Sequence, residues 1–448
     1  MPKTTLITNA LLVNENQQIA ADLLIRDGRI EKIAGQISAI DDKTQVIDAG
    51  GGWLLPGMID DQVHFREPGL TRKGDIHSES RAAVAGGITS FMEMPNTDPQ
   101  TTNKFRLEEK FDIAAGNSLA NYSFYLGATN DNIDDIRRLD PQSACGIKIF
   151  MGASTGNMLV DDEQTLEKIF TEAPCIIATH CEDSPTIARN LEQAMQKWGR
   201  DIPIEQHPLI RSREACIKST KLATRLANKH SAQLHILHIS TQEEADSFSD
   251  AALADKNITA EACVHFLHFD DRDYSRLGDL IKCNPAIKTA ADRAAIIEAL
   301  RTGRIDVIAT DHAPHTLAEK QSGDYFSAPA GLPLVQWAMP AALELVNRDG
   351  FSIEQIVNLT SHRVAERFQV KDRGYLREGY WADLQLVQQG DFPAIRREQV
   401  LSRCGWSPFE GMAFQHRIAA TWINGAMLWD GEQIIEQHVG QRLQFNRE

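Results

Sequence analysis

No run of about 20 apolar residues occurs in the sequence, so a membrane-spanning helix is not expected. The first residues, Met1-Pro2-Lys3-Thr4-Thr5, carry neither a long apolar core nor a small-residue cleavage pattern, and no signal peptide is expected there. There is no CxxC pair. The seven cysteines (Cys145, Cys175, Cys181, Cys216, Cys263, Cys283 and Cys404) are scattered and odd in number. That argues against a disulfide framework or a thiolate metal site and points to reduced thiols in the cytoplasm. A basic excess is also missing: the formal charge is -16, which argues against a nucleic-acid footprint and bears mainly on solubility. Internal repeats and low-complexity stretches are absent as well. What is present is 448 residues with 42% hydrophobic content, enough for one large domain and a smaller one.

Residues 4 to 55 read as short strands: Thr5-Leu6-Ile7, Leu11-Leu12-Val13 and Asp22-Leu23-Leu24-Ile25-Arg26, with Asp27-Gly28 as a hairpin turn. From 56 to 370 strands alternate with amphipathic runs such as Glu163-Gln164-Thr165-Leu166-Glu167-Lys168-Ile169-Phe170. Eight strand candidates lie at 54–64, 88–95, 121–129, 145–152, 175–182, 233–240, 258–266 and 306–314. Eight βα units predict a (β/α)8 TIM-type barrel with its site at the carboxyl ends of the strands. From 371 to 448 strand-like segments return, among them Ala382-Asp383-Leu384-Gln385-Leu386-Val387. Neither terminal segment is large enough for its own core. The expected architecture is therefore an α/β barrel over 56–370 beside a small β-sandwich domain composed of 1–55 and 371–448.

The polar residues that interrupt this pattern fall at strand ends. In Ile59-Asp60-Asp61-Gln62-Val63-His64-Phe65-Arg66, strand parity puts Asp60, Gln62, His64 and Arg66 on one face. Lys148 lies within an apolar strand, where a lysine is costly unless it is neutralised, modified or able to reach water along its stem. His180 and His238 end two further strands. His235 has the opposite parity to His238 and reads as structural. Asp311 closes the eighth strand, where a carboxylate needs a partner. Each residue alone has an ordinary explanation as a core histidine, a cap or a strand edge. Five such residues (His64, Lys148, His180, His238 and Asp311) at one end of five strands point to a hydrolytic metal centre with nitrogen and oxygen ligands, the kind that suits zinc, and to Asp311 as its acid/base. Arg66 offers a planar fork for a carboxylate, and Asn96, Asn284, His315 and the turn carrying Ala330 and Gly331 add hydrogen-bonding groups around it.

Over essentially the whole chain this pattern resembles the cyclic amidohydrolases, and among them the dihydroorotase family. The specific pieces are Val63-His64-Phe65-Arg66-Glu67-Pro68-Gly69, Met94-Pro95-Asn96-Thr97, Gly146-Ile147-Lys148, Thr310-Asp311-His312-Ala313-Pro314-His315, Gly379-Tyr380-Trp381-Ala382-Asp383-Leu384 and Pro408-Phe409-Glu410-Gly411. The resemblance implies reversible cyclisation of N-carbamoyl-L-aspartate to L-dihydroorotate in pyrimidine synthesis. It implies a carbamylated Lys148 bridging two zinc ions, one held with His180 and His238, the other with Gln62, His64 and Asp311. It makes Asp311 the catalytic base, assigns Arg66, Asn96 and His315 to the substrate carboxylate, and puts Asn284 on the ring. It further suggests a homo-oligomer. One position departs from the family: Gln62 stands where its first strand normally has a histidine. An amide oxygen is the weaker zinc ligand, so the expectation is one tightly held zinc and a second that is weak or absent. The competing readings are an impaired dihydroorotase-like scaffold for aspartate transcarbamoylase, which Gln62 alone favours, and another cyclic-amide hydrolase of the hydantoinase or allantoinase type.

Overall fold

Eight short parallel strands surround a common interior in the computed structural model, which describes residues 4–38, 43–152 and 158–447. Residues 1–3, at the start read above for a signal peptide, lie outside that set. The strands are β1 (Met58–Val63), β2 (Ile88–Glu93), β3 (Asn121–Phe124, continued by Leu126–Gly127), β4 (Ile147–Phe150), β5 (Ile177–His180), β6 (Leu234–Ile236), β7 (Ile258–Cys263) and β8 (Val307–Ala309). β1 to β3 pair in parallel, as do the second half of β3 and β4 to β8. A parallel bridge between Val63 and His312 brings β8 back to β1. β4, β5, β6 and β8 are buried along their whole length, as a sheet covered by helices requires.

The intervening helices begin where the sequence supplies caps. The Asp162 side chain accepts from the Thr165 amide ahead of the helix Glu163–Glu172, and Thr289 forms a capping box with Asp292 ahead of Ala290–Thr302. Gly303, at φ 77°, ends the latter in the left-handed conformation.

Both ends of the chain join one eight-stranded sheet with its own apolar core, which includes Ile7, Leu23, Ile25, Leu54, Leu384, Leu386 and Trp422. Thr4–Asn14, Gln17–Arg26, Arg29–Ala34, Gln45–Asp48 and Trp53–Pro56 come from the first part of the chain; Leu384–Gln389, His416–Ile423 and Ala426–Trp429 come from the last. Asp27 and Gly28 both have positive φ, at 48° and 83°, and turn the hairpin as expected. Trp53–Pro56 joins the two parts: it runs parallel to Thr4–Asn14 and antiparallel to Leu384–Gln389. The stretch 54–64 is thus two strands in two sheets rather than one barrel strand. They break at Gly57, where a Cβ would stand 2.1 Å from Thr89 Oγ1, so only glycine lets the chain pass.

Among the described residues, no helix is long and apolar enough to cross a membrane.

Candidate active site

Strand register explains why the key residues meet. Lys148 pairs with Ala178, Ala178 with His235, and His235 with Thr259. His180 and Glu261, two residues further along their strands, share that inward face. His238 breaks the rule. Parity on a regular strand would turn it away from His235's side, but β6 ends at Ile236 and His238 takes φ 43°, so both histidines enter the interior at different depths. β1 is irregular in the same way: its register with β2 shifts between Asp60 and Val63. Asp60 accepts from the Thr310 hydroxyl at 2.6 Å and Asp61 reaches His235 deeper inside, so Asp60 does not line the cavity that Gln62, His64 and Arg66 share. Arg66, His238 and Asp311 all have positive φ (72°, 43° and 51°), and this concentration of strained backbone marks the site.

A cavity of about 340 Å³ at the carboxyl ends of the strands is lined by every residue singled out from the sequence: Gln62, His64, Arg66, Asn96, Lys148, His180, His238, Asn284, Asp311, His315, Ala330 and Gly331. Lys73, Phe150 and Arg211 line it too and had not been anticipated.

His180 Nε2 donates to Glu182 at 2.9 Å, which leaves its Nδ1 facing His238 Nε2, also at 2.9 Å. Burial would raise the Glu182 carboxyl, but Arg211 and the hydrogen bond from His180 outweigh it and hold it near 2. Burial pushes both histidines down, His238 well below the usual imidazole value with the help of His180 and Lys148, and His238 Nδ1 is buried without a partner among the described residues. Two neutral imidazoles with converging nitrogens, one of them oriented by a carboxylate, suit a divalent cation. Lys148, 1% exposed, has its amine pulled down to about 8 by burial, with Asp311 and Glu261 opposing the shift. On the other side, His64 Nδ1 donates to Asn96 Oδ1 at 2.8 Å and its Nε2 faces Asp311 Oδ1 at 3.3 Å. Gln62 meets the same carboxylate as a donor, Nε2 to Oδ1 at 3.0 Å, with its own oxygen turned toward the Cys263 thiol.

Arg66 is 7% exposed and has no carboxylate within ion-pair distance among the described residues. Nε donates to Pro314 O at 3.2 Å, and one terminal nitrogen lies 3.1 Å from His315 Nε2. Lys73 Nζ donates to His315 Nδ1 at 3.0 Å, so the imidazole hydrogen sits on Nε2 and points to Ala330 O at 3.0 Å. Burial and the neighbouring Arg66 and Lys73 charges keep His315 neutral. Asn284 Oδ1 is buried and has no hydrogen-bond partner among the described residues, as a group awaiting a ligand N–H would be. Gly331 has φ 140°, and a Cβ there would lie 2.5 Å from Ala313 O, so its loop passes close to the site only as glycine. Its N–H and C=O are both engaged, by Lys282 O and by the Lys320 ammonium; its part is to shape the wall.

Below the cavity lies a cluster the sequence reading missed, apart from setting His235 aside as structural. His235 Nε2 faces Asp61 at 3.1 Å and Glu261 at 3.6 Å, all fully buried, with Nδ1 on the Thr259 hydroxyl at 2.8 Å. The three facing atoms lie within 4.8 Å of one another, an arrangement that holds either a shared proton or a cation.

A parallel βα barrel whose strand ends carry histidines, a buried lysine and an aspartate around one cavity has the design of a metal-assisted hydrolase. The comparisons agree on the hydrolase class. The amidohydrolase family model matches residues 214–428. A dihydroorotase from Methanosarcina acetivorans is 32% identical over 418 residues, 91% of this chain and 88% of that protein. An allantoinase from Bacillus velezensis is 30% identical over 96% of this chain and 94% of its own length. An L-hydantoinase from Arthrobacter aurescens has the same fold, with a TM-score of 0.93 at 26% identity over 98% of this chain and 99% of that one. The chain belongs to the amidohydrolase family and is a hydrolase of that family.

Proposed function

We propose that the chain is a dihydroorotase, interconverting N-carbamoyl-L-aspartate and L-dihydroorotate in pyrimidine synthesis. The observation that carries this is Arg66: a buried guanidinium at the cavity wall, beside Lys73 and a neutral His315, with no ion-pair partner among the described residues. Such a charge is costly until an anion meets it. Dihydroorotate brings a carboxylate, whereas hydantoin and allantoin are uncharged and would leave Arg66 unneutralised.

In this reading Arg66 and the Asn96 amide hold the carboxylate, with His315 braced between Lys73 and the Ala330 carbonyl behind them. Asn284 Oδ1 orients the ring amide. His180, His238 and Lys148 would hold a zinc ion, which when bound supplies Lewis acidity at the ring carbonyl. With its pKa near 8, part of the Lys148 population is neutral amine at physiological pH, the form that adds to carbon dioxide to give a carbamate and release a proton. Asp311 accepts the proton of the attacking water and returns it to the leaving ring nitrogen. A cytoplasmic location, homo-oligomerisation and association with an aspartate transcarbamoylase belong to the same proposal and rest on resemblance to the family. Against the scaffold reading stands the survival of His64, Lys148, His180, His238 and Asp311 around one cavity.

The test is the ratio of kcat/KM for dihydroorotate to that for hydantoin and for allantoin, measured on zinc- and bicarbonate-treated protein. Preference for dihydroorotate by about 100-fold or more is expected from one buried charge-assisted anion contact. Faster turnover of either neutral ring would replace this reading with the other cyclic-amide hydrolases.

A further inference from the structure

Two lysines behind the cavity are buried and have no part in the chemistry above. Lys320 ends the short helix Leu317–Lys320, which follows Asp311 and His315 in the chain, and is fully buried. Its ammonium donates to three carbonyls at once: Lys282 O at 2.9 Å, Pro329 O at 2.9 Å and Gly331 O at 3.0 Å. Lys282 immediately precedes Cys283 and Asn284, and its own ammonium donates to Tyr325 O and, at 2.7 Å, to Ala328 O. The Gly331 N–H closes the circuit on Lys282 O at 2.9 Å. Among the described residues neither ammonium has a carboxylate within ion-pair distance; what faces them is carbonyl oxygen, the Tyr325 ring at 4.1 Å from Lys282 and the Trp406 ring at 6.0 Å from Lys320.

A lysine with three N–H donors and three carbonyl acceptors is fully satisfied as a hydrogen-bonding group. No carboxylate touches it among the described residues; Asp279 offsets the charge on both lysines only from a distance, and burial outweighs it, pulling Lys320 down to about 7 and Lys282 to about 8. Filling interior space needs no such charge; a methionine or leucine would do it at lower cost. What the two ammonium ions do that an apolar side chain cannot is collect carbonyls from separate segments. Those segments carry the wall at Ala330 and Gly331, the ring-facing Asn284 and the chain leaving His315.

We propose that Lys320 and Lys282 are positioning residues, an internal pair of amine donors that fix residues 325–331 and Asn284 against the ligand and so set its affinity without touching it. The identity of the ligand rests on the dihydroorotase reading; the clamp on the loop does not.

The experiment compares the unaltered protein with Lys320→Met and Lys282→Met by hydrogen exchange and by steady-state kinetics on dihydroorotate. Exchange within 321–331 is expected to quicken about ten-fold or more in each variant while β4, β5 and β7 exchange as before, since each ammonium contributes two hydrogen bonds to that segment. KM is expected to rise about 5- to 30-fold with kcat within about three-fold, the signature of lost binding rather than lost chemistry. Unchanged exchange in 321–331 overturns the proposal. So does faster exchange throughout the barrel with kcat and Tm falling together, because that describes a packing residue. Lys282 is less enclosed than Lys320, so its variant decides the matter if Lys320→Met does not fold. Should the unaltered protein fail to turn over dihydroorotate, the functional reading falls and the exchange comparison still judges the clamp.

Discussion

Gln62 gives its side-chain N–H to Asp311 Oδ1 at 3.0 Å and turns its oxygen to the Cys263 thiol. At the position where the family resemblance implies an imidazole, this chain thus carries a hydrogen-bond donor that orients the carboxylate. In this orientation Gln62 offers a donor and no oxygen beside His64 and Asp311, so under the proposed reading that position would be short of one ligand, whereas His180 and His238 converge, with Glu182 on His180. Gln62→His is expected to restore the missing nitrogen and raise bound zinc from about one to about two per chain, measured by elemental analysis after dialysis against a weak chelator. Unchanged stoichiometry would count against Gln62 as the reason for a weak second site.

Asp311→Ala is expected to lower kcat by about 10²- to 10⁴-fold, the usual worth of a positioned acid/base. Zinc content should stay near that of the native protein, because His180 and His238 do not depend on Asp311. Loss of zinc together with activity would make Asp311 a ligand first and its proton transfer unproven.

Arg66 owes its place to its own left-handed backbone at φ 72° and to Pro314 O, and it faces the cavity with no carboxylate in ion-pair contact among the described residues. Arg66→Met removes the charge and keeps much of the volume. The expected result is a rise of about 10- to 150-fold in KM for dihydroorotate, from loss of a charge-assisted contact. A neutral cyclic amide, if turned over at all, should show no such penalty. Equal penalties for both substrates would mean that Arg66 shapes the cavity and recognises nothing.

How far the sequence foretold this arrangement depended on whether backbone regularity held. Lys148 and His180 were legible because β4 and β5 are regular, and parity along a regular strand decides facing. His235 reads correctly as structural, but its entry into the same interior as His238, and its meeting with Asp61, were not legible because β6 stops early and β1 slips register, and neither irregularity has a local sequence signal. The split at Gly57 had one, a glycine between two apolar runs, although only the approach of Thr89 shows why it matters. Lys73 and Arg211 stayed hidden since each lies in a loop whose path is set by tertiary contacts. The clamp at Lys320 was hidden more completely: its partners are backbone carbonyls, which sequence does not distinguish.

The cluster below the cavity makes a prediction about stability. Burial, then the neighbouring Asp61, pushes the Glu261 carboxyl up to about 8 from an ordinary 4.5. Burial opposes the charge on His235, but its partners, Asp61 first, outweigh it and hold the imidazole above its ordinary value. With Glu261's folded value above the unfolded one, the folded protein keeps a proton that the unfolded chain releases between pH 4.5 and 8. Stability from this group is therefore lost as pH rises through that window and levels off once the folded carboxyl also ionises. Glu261→Gln mimics the protonated acid and removes the effect, and subtracting the variant cancels most contributions from other titrating groups, including the buried lysines, whose lowered values act in the opposite sense. Relative to native, the variant should gain about 1 kcal/mol per pH unit between pH 5.5 and 7.5, read as a difference in urea unfolding free energy. If the two stability curves run parallel across that range, Glu261 is already ionised in the folded state, and a cation or a second proton donor must be neutralising it.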